Sequence, residues 1–163
     1  VRAYVGVGSN LGDRWANLAL AARVLRASGA AAIVAASRVW DTAPLGPPQP
    51  RYLNAVLELE TRLTPRALLQ LLRAAEQSAN RRRDGGRWGA RTLDLDLLTY
   101  EDRRIDEPGL LLPHPGIASR DFVLAPFAEL APGLVVPGLG LTVERLLAAL
   151  PAGGVRRVGL YPL

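Results

Sequence analysis

The sequence predicts an α+β fold in which helices pack on one sheet. Three observations carry that reading: segments of strict two-residue alternation, apolar stripes at helical spacing between them, and Pro- and Gly-rich connections that continue neither pattern. A length of 163 residues suits one domain, 1–163, with room for a substantial core.

Residues 2–8 set Ala3, Val5 and Val7 against Tyr4, Gly6 and Gly8, a first strand that ends in the turn G-S-N-L-G-D. Leu11, Trp15, Leu18, Ala22 and Leu25 then repeat at four-three-four-three spacing, one face of a helix, with Gly29 as its stop. Ile33 to Trp40 reads as a single β-branched, half-buried second strand. Residues 42–50, T-A-P-L-G-P-P-Q-P, hold too much Pro and Gly for regular structure and form a loop.

Leu53, Ala55, Leu57 and Leu59 alternate with Asn54, Glu58 and Glu60 in a third strand. Thr64-Pro65 opens a second helix with a cap residue and a proline at the first helical position, and Leu68, Leu72 and Ala75 carry it to about Asn80. The loop R-R-R-D-G-G-R-W-G-A-R-T leads into a fourth strand, in which Leu93, Leu95 and Leu97 alternate with Asp94 and Asp96. The order β-α-β-β-α-β is the ferredoxin-like split arrangement, with right-handed crossovers between parallel strands. A C-terminal extension follows: a short strand at Leu110 to Pro113, helical turns over Ser119 to Leu130 interrupted at Pro126, and a short helix from Thr142 to Leu150 stopped by Pro151.

Composition narrows the function classes. Hydrophobic residues make up 49% and charged residues 21%, as in ordinary globular proteins. No apolar run approaches the roughly 18 residues of a membrane span, and the first residues lack the basic-then-apolar pattern of a signal peptide. The absence of Cys excludes disulfides and thiolate metal sites and fits a cytoplasmic protein. All 20 basic residues are Arg, giving a net charge of +5, and a GC-rich genome accounts for that preference over Lys as a whole.

Asp94 and Asp96 are the candidate chemical centre. Two residues apart on a strand, they project from one face with Cβ atoms about 6–7 Å apart, a spacing that lets their carboxylates flank cations lying about 3.5–4 Å from each other. Without a cation they repel, and one should show a raised pKa. A solvated strand face paired with Arg87 or Arg91 is the simpler alternative. Asp is a poor strand residue, however, and Arg81, Arg82, Arg83, Arg87 and Arg91 directly precede the pair. Carboxylate oxygens for a hard cation beside forked donors for phosphate oxygens are what Mg²⁺ with a nucleoside triphosphate needs. The P-loop pattern and the protein-kinase motif set are both missing. Two long Gly- or Pro-rich loops of this kind are more often functional than not, and both could cover one active site.

Five segments, in order, resemble the 6-hydroxymethyl-7,8-dihydropterin pyrophosphokinases of folate biosynthesis: G-S-N-L-G-D at 8–13, T-A-P-L-G at 42–46, Y-L-N-A at 52–55, R-W-G-A-R-T-L-D-L-D-L at 87–97, and L-P-H-P at 112–115 followed by R-D-F at 120–122. The resemblance implies transfer of pyrophosphate from ATP to the pterin hydroxymethyl group with release of AMP, using two Mg²⁺ ions. Asp94 and Asp96 would hold the ions, with Asp96 shared between them and able to help remove the hydroxyl proton. Arg81 and Arg91 match arginines that grip the triphosphate. Arg83, Arg87, Trp88, His114 and Arg120 match positions around ATP. Tyr52 and Phe122 match the two rings that stack on the pterin, Asn54 meets its edge, and Thr42, Pro44 and Leu45 add wall or backbone contacts. Asn10 shapes the first turn and is a further candidate for the pterin pocket. The implied partners are ATP and a reduced pterin, with no nucleic acid or membrane, and a monomer.

The chain departs from the family's usual pattern at Arg73, Asp84, Ala90 and Pro115, all positions near the nucleotide, and leaves the aspartate pair intact. Taken apart from the resemblance, Tyr52 and Phe122 fit ordinary core packing equally well, and a lone His114 is more often structural. Two rivals use some of the same features. An RNA-binding module would share the basic α+β sheet, but the strands lack its aromatic signature and Y-L-N-A-V-L-E-L-E is acidic. A two-metal nuclease would use the aspartates and arginines and leave the T-A-P-L-G loop and paired aromatics without a role.

Overall fold

The computed structural model describes residues 1–44, 48–81 and 92–163, with 80 and 81 by backbone alone. Its elements run β1 (Arg2–Ser9), α1 (Arg14–Ser28), β2 (Ala31–Ala36), β3 (Val39–Thr42), β4 (Tyr52–Thr61), α2 (Pro65–Arg81), β5 (Asp94–Tyr100), β6 (Ile105–Glu107), β7 (Leu110–Leu112), a 3-10 turn (Ile117–Ser119), α3 (Asp121–Leu130), α4 (Val143–Ala148) and β8 (Val155–Gly159). This is a mixed α/β fold on an antiparallel sheet. The strand order is β5-β1-β4-β3-β8, with β2 also paired to β4, and β6-β7 form a separate hairpin.

The alternation in β1 sorts its side chains between two cores. Ala3, Val5 and Val7 face a cluster completed by Leu18 and Leu25 of α1 and Leu68 and Leu72 of α2. Tyr4 faces the opposite side, where Val56, Leu98 and residues of α3 and α4 form a second cluster, and its ring lies 4.9 Å from that of Phe127. Burial on both faces explains the near-continuous apolar stretch in the later half of β5. Its first half differs: Asp94 and Asp96 lie on the α3 side, beyond the end of that cluster.

The helix signals locate the ends well. Asp13 caps α1 by accepting from Ala16 N–H at 3.0 Å, and Gly29 closes it at φ 67°. Thr64 accepts from Ala67 N–H at 3.2 Å ahead of Pro65. Leu11, however, precedes α1, and Trp15 is 37% exposed with the tip of its ring over Gly159. The buried residues are Leu18, Leu20, Ala21, Ala22 and Leu25.

Two further expectations need correction. Ile33 to Trp40 is two strands: at Ser37 the backbone N–H still donates to Val56 O (2.9 Å), but the side chain accepts from Val56 N–H (2.8 Å) and donates to Arg38 O (2.8 Å), taking over one ladder bond where the strand breaks. Pro126 does not interrupt α3. It lies just beyond the first turn, whose N–H groups have no partner within a helix, so its ring removes a single intrahelical bond, and burial of Val123, Leu124 and Phe127 offsets the loss. The strands β6 and β8 were not anticipated. β8 is a short edge strand with no alternation in burial, held by pairing to β3 rather than by an apolar face.

Candidate active site

The cross-strand register assembles one row of side chains on the α3 face. Gly8 of β1 pairs with Asn54 of β4 on one side and Asp94 of β5 on the other; the next row pairs Gly6 with Val56 and Asp96. Glycines in the central strand leave a depression between the flanking side chains. Thr42, Tyr52, Asn54, Asp94, Asp96, Arg120 and Phe122 line the resulting cavity, the first three from β3 and β4, the aspartates from β5, and the last two from the start of α3.

Asn54 is oriented by its neighbour: Nδ2 donates to the buried Thr42 Oγ1 at 2.6 Å. Arg120 is folded back at the start of α3. Its guanidinium carbon lies 5.8 Å from the centre of the Phe122 ring, a cation–π arrangement, and the bare Cα of Gly116 makes room for it, since a Cβ there would come within 2.5 Å of Nε.

Electrostatics single out Asp96. Burial first, then the neighbouring charge of Asp94, push its carboxyl up to about 6, while Arg120 works against the shift. His114 Nε2 stands 3.7 Å from Asp96 Oδ1, and its Nδ1 accepts from Gly116 N–H at 3.1 Å. That bond assigns the ring proton to Nε2, on the side of the aspartate. Burial, and then the charge of Arg120, lower the His114 pKa, which favours the neutral ring.

A second, more open cavity adjoins the first, lined by Leu69, Arg73, Asp106 to Leu111, His114 and Pro115. Asp96 also belongs to it and is the one residue common to both linings among the described residues.

A family model described as 7,8-dihydro-6-hydroxymethylpterin-pyrophosphokinase (HPPK) matches residues 4–132. The chain belongs to the HPPK family. Similar proteins include the 2-amino-4-hydroxy-6-hydroxymethyldihydropteridine pyrophosphokinases of Methylorubrum extorquens and Pseudomonas aeruginosa, each 42% identical over 158 residues. Those matches cover 96% of this chain and 98% and 96% of the respective relatives. The fold is shared with a crystal structure of Plasmodium falciparum HPPK-DHPS, at a TM-score of 0.71 and 14% identity. That match takes in 90% of this chain but only 45% of the longer one.

In this member of the family the structure gathers Thr42, Tyr52, Asn54, Asp94, Asp96, Arg120 and Phe122 around one cavity, with His114 on its neighbour. Asn10 is not among the lining residues: it is buried, and its Nδ2 donates to Gln49 Oε1 (2.7 Å) and Pro50 O (3.0 Å), tying down the end of the first Pro-rich loop. Pro44 is half-buried and not among the lining residues. Leu45, Arg83, Arg87, Trp88 and Arg91, the side chain of Arg81, and the departures Asp84 and Ala90 lie outside the described residues.

Sequence reading overlooked Glu76. It is buried, its Oε2 accepts from Leu95 N–H at 2.8 Å, and its Oε1 accepts from Arg73 at 3.0 Å. Burial raises its pKa against both bonds. A signal existed: Glu76 follows Leu72 by four residues, so a charge occupies the apolar stripe of α2.

Proposed function

We propose that this protein transfers pyrophosphate from ATP to the hydroxymethyl group of 6-hydroxymethyl-7,8-dihydropterin, releasing AMP, as a Mg²⁺-dependent step of folate biosynthesis. The observation that carries the reading is the meeting of two dissimilar cavities at Asp96. One offers two aromatic rings and an oriented amide, which suits a flat heterocycle with polar edges. Tyr52 and Phe122 stack on the ring, and Asn54, with Nδ2 occupied by Thr42, presents Oδ1 to a ring N–H. The other cavity takes the nucleotide, its triphosphate directed to the aspartates, with His114 Nε2–H and Arg120 as phosphate donors.

The donor set fits Mg²⁺. Two hard carboxylates share a strand face, and burial beside Asp94 leaves Asp96 short of a counter-charge. No group of three or more His, Asp or Glu residues that could hold a metal occurs among the described residues. That matches an ion which keeps several waters and shares phosphate oxygens with its substrate. Asp94 and Asp96 would hold the two ions. Bound there, magnesium supplies charge neutralisation on the phosphates and polarises the attacking hydroxyl.

The chain's own part is positioning. Tyr52, Phe122 and Asn54 aim the pterin arm at the aspartates; the substrate oxygen bonds to the β-phosphorus as the bond from that phosphorus to the α-bridging oxygen breaks, and AMP leaves with that oxygen. Asp96 is the carboxylate at hand for the hydroxyl proton. Arg81 and Arg91 grip the triphosphate, and Arg83, Arg87 and Trp88 close the nucleotide side, on the strength of the sequence resemblance. The scaffold is read as the split ferredoxin-like arrangement, with β2 and β3 counted as one interrupted strand, plus a C-terminal extension.

The test is identification of the nucleotide product after incubation with Mg-ATP and the reduced pterin alcohol. AMP is expected. ADP would mean ordinary kinase chemistry, and an inert wild-type protein would remove the proposal.

A further inference from the structure

Gly8 holds a place in the cavity floor that its register alone does not require. It stands between Asn54 and Asp94 in one cross-strand row, so the amide that meets the ring edge and the carboxylate that faces the phosphates are separated by one bare backbone position. Across two antiparallel pairings their Cα atoms lie about 10 Å apart, which is the span of a two-ring heterocycle with a one-carbon arm. Any substrate that touches both must lie over Gly8.

A side chain there has nowhere to go. A Cβ built on Gly8 would come within 2.6 Å of Asn54 Oδ1 and 3.4 Å of Tyr52 Cδ1. The first separation is shorter than real Cβ contacts allow, and the amide cannot easily swing aside because Nδ2 is held by Thr42 Oγ1 at 2.6 Å. No left-handed backbone is involved: Gly8 is not among the positive-φ glycines, so its identity is not explained by conformation. Nor is it good strand chemistry, since glycine weakens a strand and marks close approach of a ligand or another backbone. Gly6, two residues back on the same face, is the contrast. The nearest atoms to a Cβ there belong to Leu98, at 3.5 Å or more, ordinary van der Waals contact.

We propose that Gly8 is a specificity-determining position for the heterocyclic substrate: its missing side chain lets the Asn54 amide lie across β1, in the orientation that meets the ring edge. The proposal rests on the pterin reading above. It predicts selectivity in the damage caused by substitution. Gly8→Ala displaces the Asn54 amide, while the nucleotide cavity, whose lining does not include Gly8, keeps its shape.

The experiment is a substrate-by-substrate comparison of wild type, Gly8→Ala, Asn54→Ala and the Gly8→Ala/Asn54→Ala double variant. Pterin and Mg-ATP affinities are measured separately, and thermal unfolding serves as the check on folding. Gly8→Ala should weaken pterin binding on the order of tenfold or more and leave Mg-ATP binding within about twofold. In the double variant the atom that the new methyl meets is gone, so it should bind pterin no worse than Asn54→Ala alone. If Gly8→Ala by itself fails to fold, that last comparison decides. A Gly8→Ala protein with wild-type pterin affinity, equal losses for both substrates, or a further large loss in the double variant would overturn the assignment of Gly8 while wild-type turnover kept the pyrophosphokinase reading intact. A wild type that neither binds nor converts the pterin would remove both.

Discussion

Glu76 reaches out of α2 to accept a hydrogen bond from the backbone N–H of Leu95, the residue between Asp94 and Asp96, at 2.8 Å. The bond pins the segment of β5 that presents both carboxylates, and Arg73 holds the other carboxylate oxygen of Glu76 at 3.0 Å. Glu76→Ala should leave a buried N–H without a partner, costing about 1–3 kcal/mol of stability, and should lower turnover through misplaced aspartates. Glu76→Gln keeps an acceptor for Leu95 and should recover most of the stability. Denaturant unfolding of both variants, beside kcat, measures the difference.

Asp96→Ala should lower turnover by on the order of 100-fold or more, because the carboxylate faces both substrate cavities. The Leu95 and Leu97 side chains that anchor β5 face the other core and are untouched, so the fold should remain. Full activity in a folded Asp96→Ala protein would dismiss the mechanism.

In the metal-free protein the contribution of Asp96 to stability should fall as pH rises from about 4 to 6. The Asp96 carboxyl is raised from 3.8 to about 6 in the folded state, chiefly by burial and then by Asp94. Across that window the folded state therefore holds a proton that the unfolded state has released, and each pH step favours unfolding. Thermal melts across this range should slope for the wild type and flatten at the same pH values for Asp96→Asn.

Thr42→Val keeps the shape of the side chain and removes the acceptor of Asn54 Nδ2. With the amide no longer held in one orientation, the pterin KM should rise about tenfold, the equivalent of a buried hydrogen bond. The KM for Mg-ATP should not follow. Equal rises in the two constants would show that Thr42 supports the site generally rather than the ring edge.

Tyr161 closes the C-terminal segment onto the rest of the chain by donating its buried hydroxyl to Leu18 O at 2.6 Å. Burial raises its pKa, so it stays a donor throughout the neutral range. Tyr161→Phe should cost about 1–2 kcal/mol, lowering the Tm by about 2–4 °C per kcal/mol for a chain of this size, with little change in kcat. Differential scanning calorimetry is the direct measurement.

What the sequence determined by itself was whatever depends on local periodicity and stop signals. Alternation around Asp94 and Asp96 placed both carboxylates on one face; Asp13, Gly29, Thr64 and Pro65 marked helix ends; and five ordered motifs led to the family. Tertiary structure decided everything that depends on pairing between distant segments. The break at Ser37 comes from its bonds with Val56, β8 is a strand because β3 offers it an edge, and α3 passes through Pro126 because Tyr4 and the sheet cover its apolar side. The importance of Glu76 and Gly8 belongs to the same class. A buried carboxylate is explained by the backbone N–H it satisfies, and a glycine by the side chain that crosses it. Both partners lie far along the chain, where the spacing of neighbouring residues carries no record of them.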